Sequence, residues 1–285
     1  MNNGGSITNS GTIDWSQSTG TVSALYDMNG SYSPGTLLAN SAWVAPDYSG
    51  LVTQITGCKL VNTVQDLQNI ESDMSGNYAL GHDIDATGYA FKTLGYASKT
   101  SFTGQFDGMW HSVSHLNPDI SLMGDIAANA VVRDVNLLDA SAGNRVPSGH
   151  PEGILAMTNH GTVVNAFSSS GVIGPRSNNT SAPVGGLVGS NFGTIARSGS
   201  SATVYPDSCG GGLVSDNYGT ITQSYATGMV QAIASRSPAA GLADHNVGTI
   251  SQSFAAGRVL AFNPLNEGGI CVRCTVLGSD GYWNK

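Results

Sequence analysis

Asp83 and Asp85 stand two residues apart, with His82 beside them. On a strand, residues i and i+2 share a face. Two carboxyls so placed resemble a glycosidase acid pair or part of a metal site. The competing account is that they shape a turn through local backbone hydrogen bonds, and Asp107 in Phe-Asp-Gly (106–108) reads the same way. His111 and His115 have a metal-binding spacing for a helix. On a strand they would lie about 13 Å apart, too far for one ion. His150-Pro-Glu152 lacks the second histidine of a zinc-protease motif. Cys271-Val-Arg-Cys274 is a C-x-x-C, but Cys58 and Cys209 are isolated in sequence, so packed or surface thiols are expected over zinc or redox chemistry. Whether Cys271 and Cys274 form a local disulfide is left open by the spacing.

Aromatic residues offer a binding chemistry of their own. Tyr78, Tyr89, Tyr96, Tyr218 and Tyr225 could together form a sugar-stacking stripe. Tyr225 aligns with Phe254 and Phe167 in sister segments, which argues for a core or subsurface stack instead. His160 and His245 fall in repeated turns, where solvent-facing variation is expected. Asn29-Gly-Ser and Asn178-Asn-Thr180 match the glycosylation sequon. No catalytic, cofactor-binding or metal-ligating residue is assigned, and no cofactor is implied.

The elements that would position these groups are written in composition and repeats. Charged residues are 11% of 285, against about 25% in ordinary domains. Eleven basic and 19 acidic residues give a net charge of −8, which excludes the basic face of a nucleic-acid binder. No apolar run approaches the roughly 18 residues of a membrane-spanning helix. Abundant glycine (38 residues) and spread Val, Ile and Leu point to an all-β chain of many short strands.

Four segments read alike: Ile-Leu-Ala-Met-Thr-Asn-His-Gly-Thr (154–162), Gly-Leu-Val-Gly-Ser-Asn-Phe-Gly-Thr (186–194), Gly-Leu-Val-Ser-Asp-Asn-Tyr-Gly-Thr (212–220) and Gly-Leu-Ala-Asp-His-Asn-Val-Gly-Thr (241–249). Their anchors Asn159, Asn191, Asn217 and Asn246 are 32, 26 and 29 residues apart. Each is preceded at four residues by Leu155, Leu187, Leu213 or Leu242, and followed by Gly-Thr and an apolar residue. A fifth unit degenerates, with Cys274 where asparagine belongs. A unit this short cannot bury its own apolar face, but stacked copies can. The expected solution is a parallel β-solenoid with coils about 4.8 Å apart. Inward Leu, Ile and Val would form columns, asparagines a ladder, and Asn-x-Gly a sharp corner through positive φ. Right-handed winding is the general prior for parallel connections. Upstream, 60–70 has the spacing of a short helix, with Val64, Leu67 and Ile70 on one face. Segments 76–85, 111–116 and 131–137 read as strands.

The runs at 66–86 (Asp-Leu-Gln-Asn-Ile … Asp-Ile-Asp-Ala) and 102–111 (Phe-x-Gly-x-Phe-Asp-Gly-x-x-His), with the Gly-Leu-Val…Asn-x-Gly-Thr repeats, resemble the GLUG-repeat segments of filamentous-haemagglutinin-like bacterial adhesins of the two-partner secretion type. The likeness spans 58–285 and, more weakly, 1–57. Trp110 in place of a small residue, Ile154 in place of the first repeat glycine, and the degenerate last unit depart from the pattern. The resemblance implies an all-β, right-handed parallel β-helix with surface loops and at most one short helix. One continuous solenoid is expected, with residues 1–57 a β-rich lead-in that is part of it and the GLUG-type repeats at 58–285. It also implies a fragment or shortened relative of a secreted or cell-surface protein. The expected role is structural and adhesive, without catalysis. Loops 141–152, 174–183 and 231–239 would meet a surface glycan or protein receptor. The alternatives are a carbohydrate-active β-helix enzyme, which needs clustered carboxylates or a carboxylate–arginine set in a groove, and a filament unit that self-associates end to end.

Overall fold

The computed structural model describes residues 5–45, 53–143, 150–174, 182–275 and 282–283. Short strands coil into a parallel β-solenoid, and among the described residues every strand pairing is parallel. Ten strands succeed one another along the main path of a broad sheet, from Val22–Asp27 through Val131–Leu138 and Thr162–Ser169 to Tyr282–Trp283. A six-stranded sheet forms a second face, running from Met123–Ile126 through Val188–Asn191 to Cys271–Cys274. Two five-stranded sheets, from Ser141–Ala142 to Val259–Leu260 and from Glu152–Gly153 to Glu267–Gly268, complete the later coils. Near the start, Ile7–Thr8 pairs with Tyr32–Ser33, Thr12–Asp14 with Thr36–Leu38, and Val22–Asp27 with Ile55–Val61. The expected helix is Val64–Asn69, with Leu67 and Ile70 buried. The Thr63 hydroxyl caps it by accepting from the Asp66 amide at 3.0 Å, and the Asp66 carboxylate accepts in return from the Thr63 hydroxyl.

The four asparagines form one column. Asn159 pairs in register with Asn191, Asn191 with Asn217, and Asn217 with Asn246. Each Nδ2 donates to the next Oδ1, at 2.8, 2.8 and 2.7 Å. All four side chains are fully buried. The same amides close their own corners, donating to the carbonyls of Gly161, Gly193, Gly219 and Gly248. Leu155, Leu187, Leu213 and Leu242 are buried in the core beside Val163, Ile195, Ile221 and Ile250. Cys274 occupies the next position of the asparagine column, as the alignment places it.

The corner works differently from the sequence expectation. None of the four asparagines or their glycines has positive φ. Glycine is required by close approach: a Cβ on Gly193, Gly219 or Gly248 would collide with the carbonyl oxygen of Gly161, Gly193 or Gly219 in the preceding coil. A column of left-handed residues lies on the broad face instead, where Asp134, Asn165, Arg197, Gln223 and Gln252 have φ of 53°, 51°, 47°, 50° and 48°. There the strand kinks, and in the later coils it breaks in two. Buried serines mend the break. Ser198, Ser224 and Ser253 each donate to the carbonyl two residues back, at 2.7–2.8 Å. Each hydroxyl also accepts the backbone N–H of Ala166, Ser198 or Ser224 from the preceding coil.

Replacing Asn217 with alanine strips an acceptor from Asn191 and a donor from Asn246 inside the core. Each orphaned buried group costs about 1–3 kcal/mol. Urea unfolding should show Asn217→Ala less stable by about 2–4 kcal/mol, while Thr227→Ala on the exposed surface stays within about 0.5 kcal/mol of the parent.

Candidate ligand-binding surface

Asp83 and Asp85 do share a face, flanking the buried Ile84. The next coil brings His111 and His115 to them, because Ile84 pairs with Val113 and Asp85 with Ser114. His111 Nδ1 lies 3.3 Å from Asp83 Oδ1, and His115 Nδ1 lies 3.0 Å from Asp85 Oδ1. The two histidines therefore serve separate aspartates. Asp83 accepts the Ser112 amide at 2.8 Å. Asp85 accepts the Thr87 hydroxyl at 2.6 Å and its amide at 3.0 Å. The Thr87 bonds, with His115, hold the Asp85 carboxyl down at about 2, and the Ser112 bond lowers Asp83. A glycosidase acid needs the opposite shift, so that it carries a proton near neutrality. His82 turns to its neighbour's backbone instead, with Nδ1 2.6 Å from the Asp83 carbonyl. Asp107 accepts the Met109 amide at 2.8 Å and pairs with Arg133 at 2.9 Å.

The five tyrosines do not form one stripe. Tyr78 is buried, donates to the Asp73 carbonyl at 2.6 Å, and lies under Lys59 Nζ. Tyr89 donates to Gln65. Tyr225 belongs to an outer column rather than to the core: Phe167 and Tyr225 ring centroids are 6.2 Å apart and Tyr225 and Phe254 5.6 Å, with Phe254 exposed. Tyr225 leans into the space above Gly199, where a Cβ would strike its ring. Tyr218 stands in a second column at the asparagine corner. There His160 stacks on Phe192 at 4.9 Å, Phe192 on Tyr218 at 4.8 Å, and His245 meets Tyr218 edge-on. His160 and His245 are thus built into a ladder. In the stacks of this corner, ring faces are taken up by neighbouring rings, so a sugar would meet mainly edges.

Cys271 and Cys274 are joined as a disulfide. Burial pushes the Cys58 thiol up to about 11 and raises Cys209 as well, the reverse of a reactive thiol. Asn29 lies in an exposed turn. The second sequon (178–180), much of the 141–152 loop and most of the 174–183 loop fall outside the described residues.

Two features went unforeseen. The residues directly before the asparagine column stack in register as Asp125, Thr158, the buried Ser190, Asp216, His245 and Arg273. His160 Nδ1 lies 2.9 Å from Asp125, and His245 Nδ1 lies 3.6 Å from Asp216. Arg273 pairs with the fully buried Asp244. Burial raises the Asp216 and Asp244 carboxyls, opposed by His245 and Arg273. The signal was available in the variable position next to each anchor, which a search for constant positions passes over.

The second feature is a cleft of about 570 Å³ between the 95–101 loop and the six-stranded sheet. Tyr96, Lys99 and His150 line it, with Asp125, Met157 and Thr158 from the sheet. Glu71, just after the helix, holds the loop by accepting from the Gly95 amide at 2.6 Å and the Ser98 hydroxyl at 2.7 Å. Gln68 clamps its start through the Lys92 amide and carbonyl. Gly124 lets the loop backbone approach the sheet, since a Cβ there would meet the Leu94 carbonyl oxygen at 3.3 Å.

No family model matches the chain. Over 164 residues, half of its length, it is 30% identical to halomucin of Haloquadratum walsbyi, and this match spans 2% of that protein. A crystal structure of a "putative immunoglobulin A1 protease" from Bacteroides ovatus matches with a TM-score of 0.51 and 18% identity, over 78% of this chain and 77% of that one. At that identity the likeness shows the fold alone.

Glu152 generates a pH prediction. It is 1% exposed, and its Oε2 has no hydrogen-bond partner among the described residues. Burial, with Asp207 nearby, pushes its carboxyl up to about 8 from an ordinary 4.5. A raised folded value means that the protonated acid stabilises the fold below about pH 4.5, and that this contribution is lost as the pH rises toward 8. Thermal unfolding should show Glu152→Gln more stable than the parent at pH 8.5, with the gain shrinking toward pH 4.5.

Proposed function

We propose that the chain is a stiff, non-catalytic segment of a secreted or cell-surface protein, of the GLUG-repeat adhesin type, which binds ligands on its outer faces and loops. The observation that carries this reading is the unbroken buried asparagine column. It makes a rod from near-identical coils and leaves loops and outward positions free to vary. The kinship with halomucin supports it, since 164 matched residues are 2% of that protein and a rod segment suits so long a chain. A low content of charge favours recognition by shape and hydrogen bonds.

A second reading is a carbohydrate-active enzyme. The Asp216, Asp244, His245 and Arg273 group favours it, because it combines carboxylates with an arginine on neighbouring coils. Against it, Asp244 is wholly buried and tied to Arg273. Incubating the purified chain with a panel of polysaccharides and host-cell surfaces separates the two. The adhesive reading expects saturable binding with no new reducing ends or unsaturated products. Turnover that disappears in Asp216→Asn would overturn it in favour of the enzyme.

A further inference from the structure

We infer that the cleft beside Tyr96 is a binding subsite for a carboxylated pyranose, an acidic sugar residue of a larger glycan. This deepens the ligand-binding reading above and rests on it. The lining combines the three chemistries such a ligand needs. Tyr96, His150 and Met157 offer ring and thioether surface to the apolar side of a pyranose, with the Tyr96 and His150 rings held edge-to-face at 6.0 Å. Thr158 and Asp125 offer a hydroxyl and a carboxylate to sugar hydroxyls. Lys99 supplies the charge that selects a carboxylate. Lys59 and Lys92 are each paired with an aspartate, at 2.9 and 3.2 Å, whereas Lys99 forms no ion pair among the described residues. Its backbone is held at φ 55°, within a loop tied down by Glu71. The site is therefore organised before ligand arrives, which lowers the entropy lost on binding. A volume of about 570 Å³ falls within the usual size of small-ligand sites.

The test is titration of the whole chain with methyl β-glucuronide, N-acetylneuraminic acid and, as the neutral control, methyl β-glucoside, followed by NMR and calorimetry. At least one acidic sugar should shift the His150 ring resonances and bind more tightly than the glucoside. Lys99→Gln, an exposed change that leaves the fold intact by circular dichroism, should weaken the acidic sugar about tenfold or more and leave the glucoside unchanged. Tyr96→Ala should weaken both. If neither acidic sugar shifts His150, or if Lys99→Gln has no effect, the inference is wrong. Binding of the chain to glycans or cells that survives Lys99→Gln would sink this subsite and spare the adhesive reading. Absence of binding to every glycan and cell surface would sink both.

Discussion

Each coil of this chain leaves a buried corner that hydrogen bonds between strands alone do not close. The asparagine amide supplies what is missing, because it donates and accepts at once. Oδ1 receives the Nδ2 of the preceding coil, while Nδ2 reaches both the next coil and its own glycine carbonyl. A serine there could not span the step, and an aspartate would bring unpaired charge into the core. An apolar residue would leave the adjoining amides unsatisfied. Register follows directly, since a slip by one residue would remove every amide from its partners at once. The degenerate last unit shows the same rule at its margin. There Cys274 takes the asparagine position and is joined to Cys271.

With the inside so constrained, variation moves outward. The position beside each anchor runs through Asp125, Thr158, Ser190, Asp216, His245 and Arg273, a sequence of charges and hydroxyls at regular spacing. The corner aromatics follow the same spacing and stack, Phe192 on Tyr218. These are surface residues with a structural contribution, since ring contacts along the axis add to coil-to-coil cohesion. The cleft arises where the regular stack is interrupted: the 95–101 loop stands off the sheet, and the helix that precedes it provides the tethers.

The architecture was legible because it is periodic. Leu, Asn, Gly-Thr and an apolar residue at fixed offsets leave few folds that bury all of them, and the short helix showed in the spacing of Val64, Leu67 and Ile70. The physical cause of the corner was less legible. Glycine was read as a residue of positive φ, but the collision it avoids is with the preceding coil, and a single repeat viewed alone does not contain that neighbour. The left-handed positions of the broad face include Asn165, Arg197 and Gln223, residue types that give little warning. The site was harder still. Asp83 and Asp85 were correctly placed on one face, but their histidine partners come from a coil about 30 residues on. Tyr96, Lys99, Asp125 and His150 are brought together only by winding.

Distances along the axis test the central claim most directly. Gln105, Val131, Thr162, Thr194, Thr220 and Thr249 are successive members of one column. With Cys58 and Cys209 replaced, spin labels at Gln105 and Thr249 should lie about 24 Å apart, five steps of about 4.8 Å, and labels at Gln105 and Thr194 about 14 Å apart. Pulsed electron–electron resonance that returns these two values, with the increment set by the number of intervening coils, supports the stacked column. Distances that fail to grow coil by coil, or that scatter broadly, would contradict it.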